Sequence, residues 1–461
     1  MKKPSFSLLC ILFVLLWCVF TVTNYQDYKA GGRWGPFKHD MFAYYAYLPA
    51  VFVYDWDLDF EYTKHIPEND PVVFLPTTAP NGAIVNKVTI GMSAMMLPAF
   101  LVGHAWAKIC ESNSPEKATG FSIYYRIMML ASSIGYVIWA LFLLRRLLRR
   151  RFGEVVTGLT LIGTVLGTNV FYYTVHEHMM SHAYSFFLFA AFIYLTVRWY
   201  EAQRWPTLLW LGFVSALIIL VRPTNIVIAL FFILHGIIKW SDFRERIMLW
   251  ARYPVQFGGA VLVGLATVFP QLLYWKTKTG NWFFYSYADW ERFYWEDPAI
   301  IDGLFSYVKG WYVYTPIMLL ATIGIYFVWR FAKEWFWSVV VFYCLNTYIV
   351  LSWWSWWYGG GFGLRAFAEA AAPMSLGLAS LLAWIWSQKP IARYPLLLPI
   401  VFCITLNLFQ TMQYKRVYII WNGMTKERYW KVFGKTKLSE EERQEIEKMV
   451  KEPERKGLKR D

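Results

Sequence analysis

An aspartate stands among tyrosines in the stretch FKHDMFAYYAYLPA, residues 37–50. Asp40, Tyr44 and Tyr47 fall at i, i+4 and i+7, one face of a helix. A carboxylate so placed can serve as a general base toward a hydroxyl. Four further stretches carry chemistry-bearing residues. VHEHMMSH (175–182) holds His176, Glu177, His178 and His182, and LVRPTN holds Arg222. SYVKGWYVYTP holds Lys309 and Tyr312, and WSWWYGGGFGLRAFAE (354–369) holds Trp357, Tyr358 and Arg365. His178 and His182 at i, i+4, with Glu177 just before them, permit a divalent cation site.

Each feature has a plainer reading. Asp40 reads equally as a loop acid at an interface. The histidine loop reads as a wet loop with hydrogen-bonding roles, and this is favoured over metal ligation. Arg222 before Pro223, and Arg365, read as arginines snorkelling from helix ends. WWSWW reads as an interfacial aromatic belt. GGGFG lacks the strand-then-helix setting of a phosphate loop. The acids of YDWDLDFEY (Asp55, Asp57, Asp59) read as a helix start or a cation site.

The elements that must position these groups are transmembrane helices. The 461 residues are 57% hydrophobic and only 16% charged, so a soluble domain would lack its polar faces. The net charge of +14 does not point to nucleic acid, because the basic residues cluster in short loops between apolar runs. Five cysteines without regular spacing imply neither a disulfide framework nor a zinc site. The apolar run after MKKPSFS is expected to stay as a first transmembrane helix.

Spans are expected at about 6–25, 121–144, 154–173, 183–199, 206–221, 223–238, 256–275, 312–330, 335–352, 366–386 and 395–412. The apolar stretch 88–109 decides the topology. If it spanned, RRLLRRR (145–151) would lie outside, against the positive-inside rule. It is therefore expected to be an interfacial helix hairpin bent at Pro98 and Gly103, within a large first outer loop, 26–120. The expectation is an all-α polytopic membrane protein with about eleven spans, its N-terminus inside. Residues 1–412 would be the membrane domain, and 413–461 a charged tail forming a solvated helix with a frayed end.

In this threading the ionisable groups gather at the outer face. At membrane depth such groups are costly and usually line a cavity. Cations with apolar walls suit an anionic lipid, and a polyprenyl-phosphate sugar is one. Its phosphate leaves readily once neutralised, so a single carboxylate base suffices. The Trp and Tyr faces would stack on the sugar.

The chain resembles the membrane-embedded GT-C glycosyltransferases, and is similar to protein O-mannosyltransferases and lipid A aminoarabinose transferases. The resemblance covers residues 1–412. It rests on the order of KHDMFAYYAYLP, NKVTIGMSAMMLPAFLVGHAWA, MSHAYSFF, VRPTN, SYVKGWYVYTPI and WWYGGGFGLRAFAEAAAP. It implies a GT-C-like fold and a glycosyltransferase with Asp40 as catalytic base. It also implies that Lys87, Arg222 and Arg365 hold the donor phosphate. Many relatives carry a second acid in the outer loop between the third and fourth spans. Here that loop offers Glu177 flanked by histidines, which leaves the second carboxylate and any divalent cation open. Tyr44, His176, His182, Lys309, Tyr312, Trp357 and Tyr358 would line the cavity. The partners implied are the lipid donor, a glycan, lipid or protein acceptor, and the bilayer of a bacterial-type inner membrane, with the site facing the periplasm. Two other classes remain: a transporter or flippase for an anionic lipid-linked glycan, and a scaffold that would not need Asp40.

Overall fold

A computed structural model describes residues 5–29, 36–65, 76–111, 118–451 and 453; part of the first outer segment and the end of the tail lie outside these. The fold is helical. It begins with α1 (Phe6–Tyr25), α2 (His39–Tyr45), α3 (Tyr47–Phe52) and α4 (Gly91–Cys110). It continues with α5 (Ile123–Leu148), α6 (Glu154–Leu166), α7 (Val170–Val175), α8 (Ser181–Ala202) and α9 (Trp205–Val221). A 3₁₀ stretch, Pro223–Ala229, leads into α10 (Leu230–Leu234), α11 (Trp240–Ala251) and α12 (Pro254–Thr279). Then come α13 (Ile300–Phe305), α14 (Trp311–Tyr314), α15 (Ile317–Phe331), α16 (Phe336–Leu351), α17 (Ala371–Ser387) and α18 (Pro390–Lys415). The chain closes with α19 (Lys426–Val432) and α20 (Glu440–Glu447). One small antiparallel pair, β1 (Thr77–Thr78) and β2 (Ile84–Val85), lies before α4.

Among the described residues, seven helical stretches are long and apolar enough to cross a membrane: α1, α4, α5, α8, α12, Lys333–Leu351 and α18. Their outward faces carry large apolar side chains such as Leu16, Trp106, Trp139 and Leu262. This is an all-α integral membrane protein. Small residues let the inner helices touch. A Cβ on Gly324 of α15 would lie 2.1 Å from the carbonyl oxygen of Gly377 on α17, so neither helix tolerates a side chain at that crossing.

The bundle has two ends of different chemistry. At one, Arg145 donates to Ser7 (2.6 Å), Arg149 pairs with Glu154 (2.7 Å), Arg151 pairs with Glu334 (2.5 Å) and Arg150 pairs with Glu201. The start of α1 and the arginine run after α5 therefore share an end. At the other end several apolar helices stop short. α6 ends at Leu166 and α9 at Val221, while α15 and α17 begin only at Ile317 and Ala371. At 1.5 Å per residue, the 13 residues of α6 cover only about 20 Å. The irregular chain beyond these stops carries the polar residues.

Three expectations from sequence need correction. The stretch 88–109 is not a hairpin: α4 is one continuous 20-residue helix with Pro98 inside it. A proline removes one backbone donor, and the packing on either side holds the helix through it. Gly103 is a contact, not a bend, because a Cβ there would come 3.2 Å from the Tyr125 Cα. The helix through Asp40, Tyr44 and Tyr47 is two short helices meeting at Ala46. Tyr47 turns away into the core and donates to the Val88 carbonyl (2.9 Å). The described part of the tail is not a lone solvated helix either. Residues 416–451 fold back as a cap around buried Arg428, which donates to the carbonyls of Tyr418, Ile446 and Val417 at 3.0, 2.6 and 2.9 Å. Its Trp430 donates to the Tyr307 hydroxyl (3.0 Å), tying the cap to the segment before α14.

Candidate functional site

Asp40 lies in the first turn of α2, and its carboxylate is half exposed. Arg365, in a single 3₁₀ turn before α17, pairs with it at 3.0 Å. Tyr44, one turn on, lies in the field of Asp40, Arg222 and Arg365. Burial, aided by Asp40, raises its hydroxyl pKa.

Arg222, where α9 gives way to the 3₁₀ stretch, pairs with Glu369 at 3.3 Å and covers the Tyr358 ring at 5.5 Å. Glu369 also holds His182 Nδ1 at 3.0 Å, and that imidazole packs on Tyr173. Glu369 and His182 are each 1% exposed. Such a charge persists only because both partners are present.

Glu177 follows α7. It accepts the Tyr172 hydroxyl at 2.9 Å and feels Arg365, Lys309 and Lys415. Burial outweighs these cations and raises its carboxyl above the ordinary range. Lys309 is 2% exposed and donates to the Gly361 carbonyl. Burial, reinforced by Arg365 and opposed by Glu177, pushes the Lys309 ammonium down to about 7.

The other sequence candidates are placed differently. His176 turns to Asp27, which Lys415 also holds at 2.8 Å. Burial raises the Asp27 carboxyl, but the hydrogen bonds and charges of His176 and Lys415 win and lower it. Lys87 is clamped by both oxygens of Glu291 (3.1 and 2.9 Å) and lies over the Tyr287 ring at 4.7 Å. The Tyr312 hydroxyl points into the bundle, to Tyr343 (2.7 Å) and Thr322 (3.0 Å). Trp357 packs with Trp356, Ala299 and Val308 in a separate small cluster. Asp57 accepts the Tyr62 backbone N–H, and Asp59 pairs with Lys278.

Sequence reasoning missed Glu369, Asp27, Lys415 and Glu291. Only Glu369 had a signal, as the lone acid inside the apolar run AFAEAAAP. The candidate cation ligands do not converge. Glu177 goes to Tyr172 and His182 to Glu369, while neither ring nitrogen of His178 has a partner. Burial pushes His178 down to about 4, which keeps its ring neutral. Among the described residues no three His, Cys, Asp or Glu side chains form a group able to hold a metal ion.

The arrangement is a set of buried charged and aromatic side chains at one end of an apolar bundle, with the Asp40 carboxylate half exposed beside them. No protein-family model matches the chain, and the search of curated proteins finds no match.

Proposed function

We propose that this chain is a GT-C-like glycosyltransferase of a bacterial-type inner membrane. It would cross the bilayer about eleven times, with the Asp40 end facing the periplasm. It moves a sugar from a polyprenyl-phosphate donor to an acceptor hydroxyl. The observation that carries this reading is a half-exposed carboxylate, Asp40, held 3.0 Å from Arg365 at the end of the bundle where the apolar helices stop short. A base and a fixed cation side by side suit a reaction that releases a proton and a phosphate together.

In the reaction the acceptor oxygen attacks the anomeric carbon, and its proton passes to Asp40. The bond from that carbon to the phosphate oxygen breaks, and the electron pair stays on the phosphate, whose charge the cations stabilise. The phosphate leaves without a general acid, so the second acid, Glu177, needs no proton-transfer role. Its neutral form suits a hydrogen-bonding contact.

The test uses purified full-length protein in liposomes with undecaprenyl-phosphate hexose or pentose donors, and a cell-envelope fraction as acceptor. Acceptor-dependent release of undecaprenyl phosphate is the expected result. The flippase reading draws on the short helices and on the break at Arg222–Pro223, since interrupted helices also mark transporters. Donor crossing the bilayer intact, with none consumed, would establish that reading and overturn ours.

A further inference from the structure

Of Lys87, Arg222, Lys309, Arg365 and Lys415, four face a carboxylate. Lys87 pairs with Glu291, Arg222 with Glu369, Arg365 with Asp40, and Lys415 with Asp27. Lys309 is the exception among these five. Its Nζ lies on the Gly361 carbonyl, and no carboxylate is within ion-pair distance. Burying an ammonium without a countercharge is costly, and a ligand anion removes that cost.

We infer that Lys309 and Arg365, over the glycine turn 359–363, form the seat for a phosphate group, and that Lys87 and Arg222 lie outside it. Gly361 touches both side chains. Its carbonyl takes the Lys309 ammonium, while a Cβ there would lie 3.4 Å from Arg365 Cδ and 2.5 Å from the Tyr173 hydroxyl. Its φ of +137° belongs to glycine, so the close approach is built into the sequence. Arg365 shares its charge with the half-exposed Asp40, and its planar fork can hold a carboxylate and a phosphate oxygen together. The charged groups that act on Lys309 are Arg365 and Glu177. Glu177 is occupied by Tyr172 and favours its neutral form, so it does not cancel the seat.

This assignment rests on the proposed reading for the identity of its ligand, a polyprenyl-phosphate sugar. The shared chemistry is that of any phosphate monoester or diester. Burial holds Lys309 partly neutral near pH 7, whereas a bound anion favours the ammonium. Binding therefore takes up a proton, and affinity falls as pH rises from about 7 to 9.

The experiment is calorimetry on the full chain in detergent at pH 8, in two buffers of different ionisation enthalpy. The probes are inorganic phosphate and undecaprenyl phosphate, titrated separately. The protein should bind undecaprenyl phosphate with net proton uptake. Lys309→Met should weaken binding about tenfold or more, the loss of a charge-assisted partner. Lys309→Arg should retain binding and lose the uptake, because arginine is already charged. Lys278→Met, whose lysine pairs with Asp59, should bind as wild type does. Unchanged affinity in folded Lys309→Met, or unchanged uptake in Lys309→Arg, would overturn the assignment. Lys309-dependent binding of inorganic phosphate alone would keep the seat and make free phosphate its ligand. Lys309-dependent lipid-phosphate binding without sugar transfer would keep the seat and sink the proposed function. Transfer with an unaltered Lys309→Met affinity would do the reverse.

Discussion

At the arginine end, ion pairs stand in the open. The side chains of Arg150 and Glu201 are 26% and 46% exposed, and those of Arg151 and Glu334 are 52% and 22% exposed. At the Asp40 end, Glu369 and the His182 it holds keep only 2% each. The same residue types thus meet opposite conditions in one molecule. Exposed pairs are screened by water and contribute little, so the arginine end reads as a topological marker. Buried charges must be held in place by partners, so the Asp40 end reads as a site. The difference shows that position relative to helix ends, rather than charge content, separates the two.

The comparison breaks if the buried pairs prove dispensable. Glu369→Ala strands Arg222 and His182 and should cost about 3–5 kcal/mol, seen as a large fall in the thermal midpoint in detergent. A midpoint within a degree of wild type would mean that water reaches Arg222 and His182 freely. At the other end, Glu201→Ala removes an exposed partner of Arg150 and should cost less than about 1 kcal/mol in the same assay. A loss as large as that of Glu369→Ala would erase the contrast.

The helical membrane class was legible because it depends on local composition, and the arginine run with Lys2 and Lys3 was visible as a charge pattern. The arginine run's shared end with the start of α1 is now seen in the Arg145–Ser7 bond. The α4 helix was misread because Pro98 and Gly103 look like breaks locally, whereas packing against α5 and α9 decides their effect. Site residues such as Asp40 and Arg365 were visible as polar groups in apolar surroundings. Their partners were not. Lys87 meets Glu291 across 204 residues and Arg222 meets Glu369 across 147, so the cations looked free in the sequence and are neutralised in the fold. The stop of α9 at Val221 was legible from Arg222–Pro223, but no local pattern says that α6 stops at Leu166 rather than running on to 173.

The central claim is that Asp40 is the base of a sugar transfer. Asp40→Asn keeps the shape and a hydrogen-bonding group but cannot accept the proton as a carboxylate does. Its turnover, measured as acceptor-dependent release of undecaprenyl phosphate by purified, folded protein, should fall about 10²–10⁴-fold. Donor affinity should stay within about threefold of wild type. Near wild-type turnover in Asp40→Asn, with Glu177→Gln inactive beside it, would contradict the claim and move the base to Glu177.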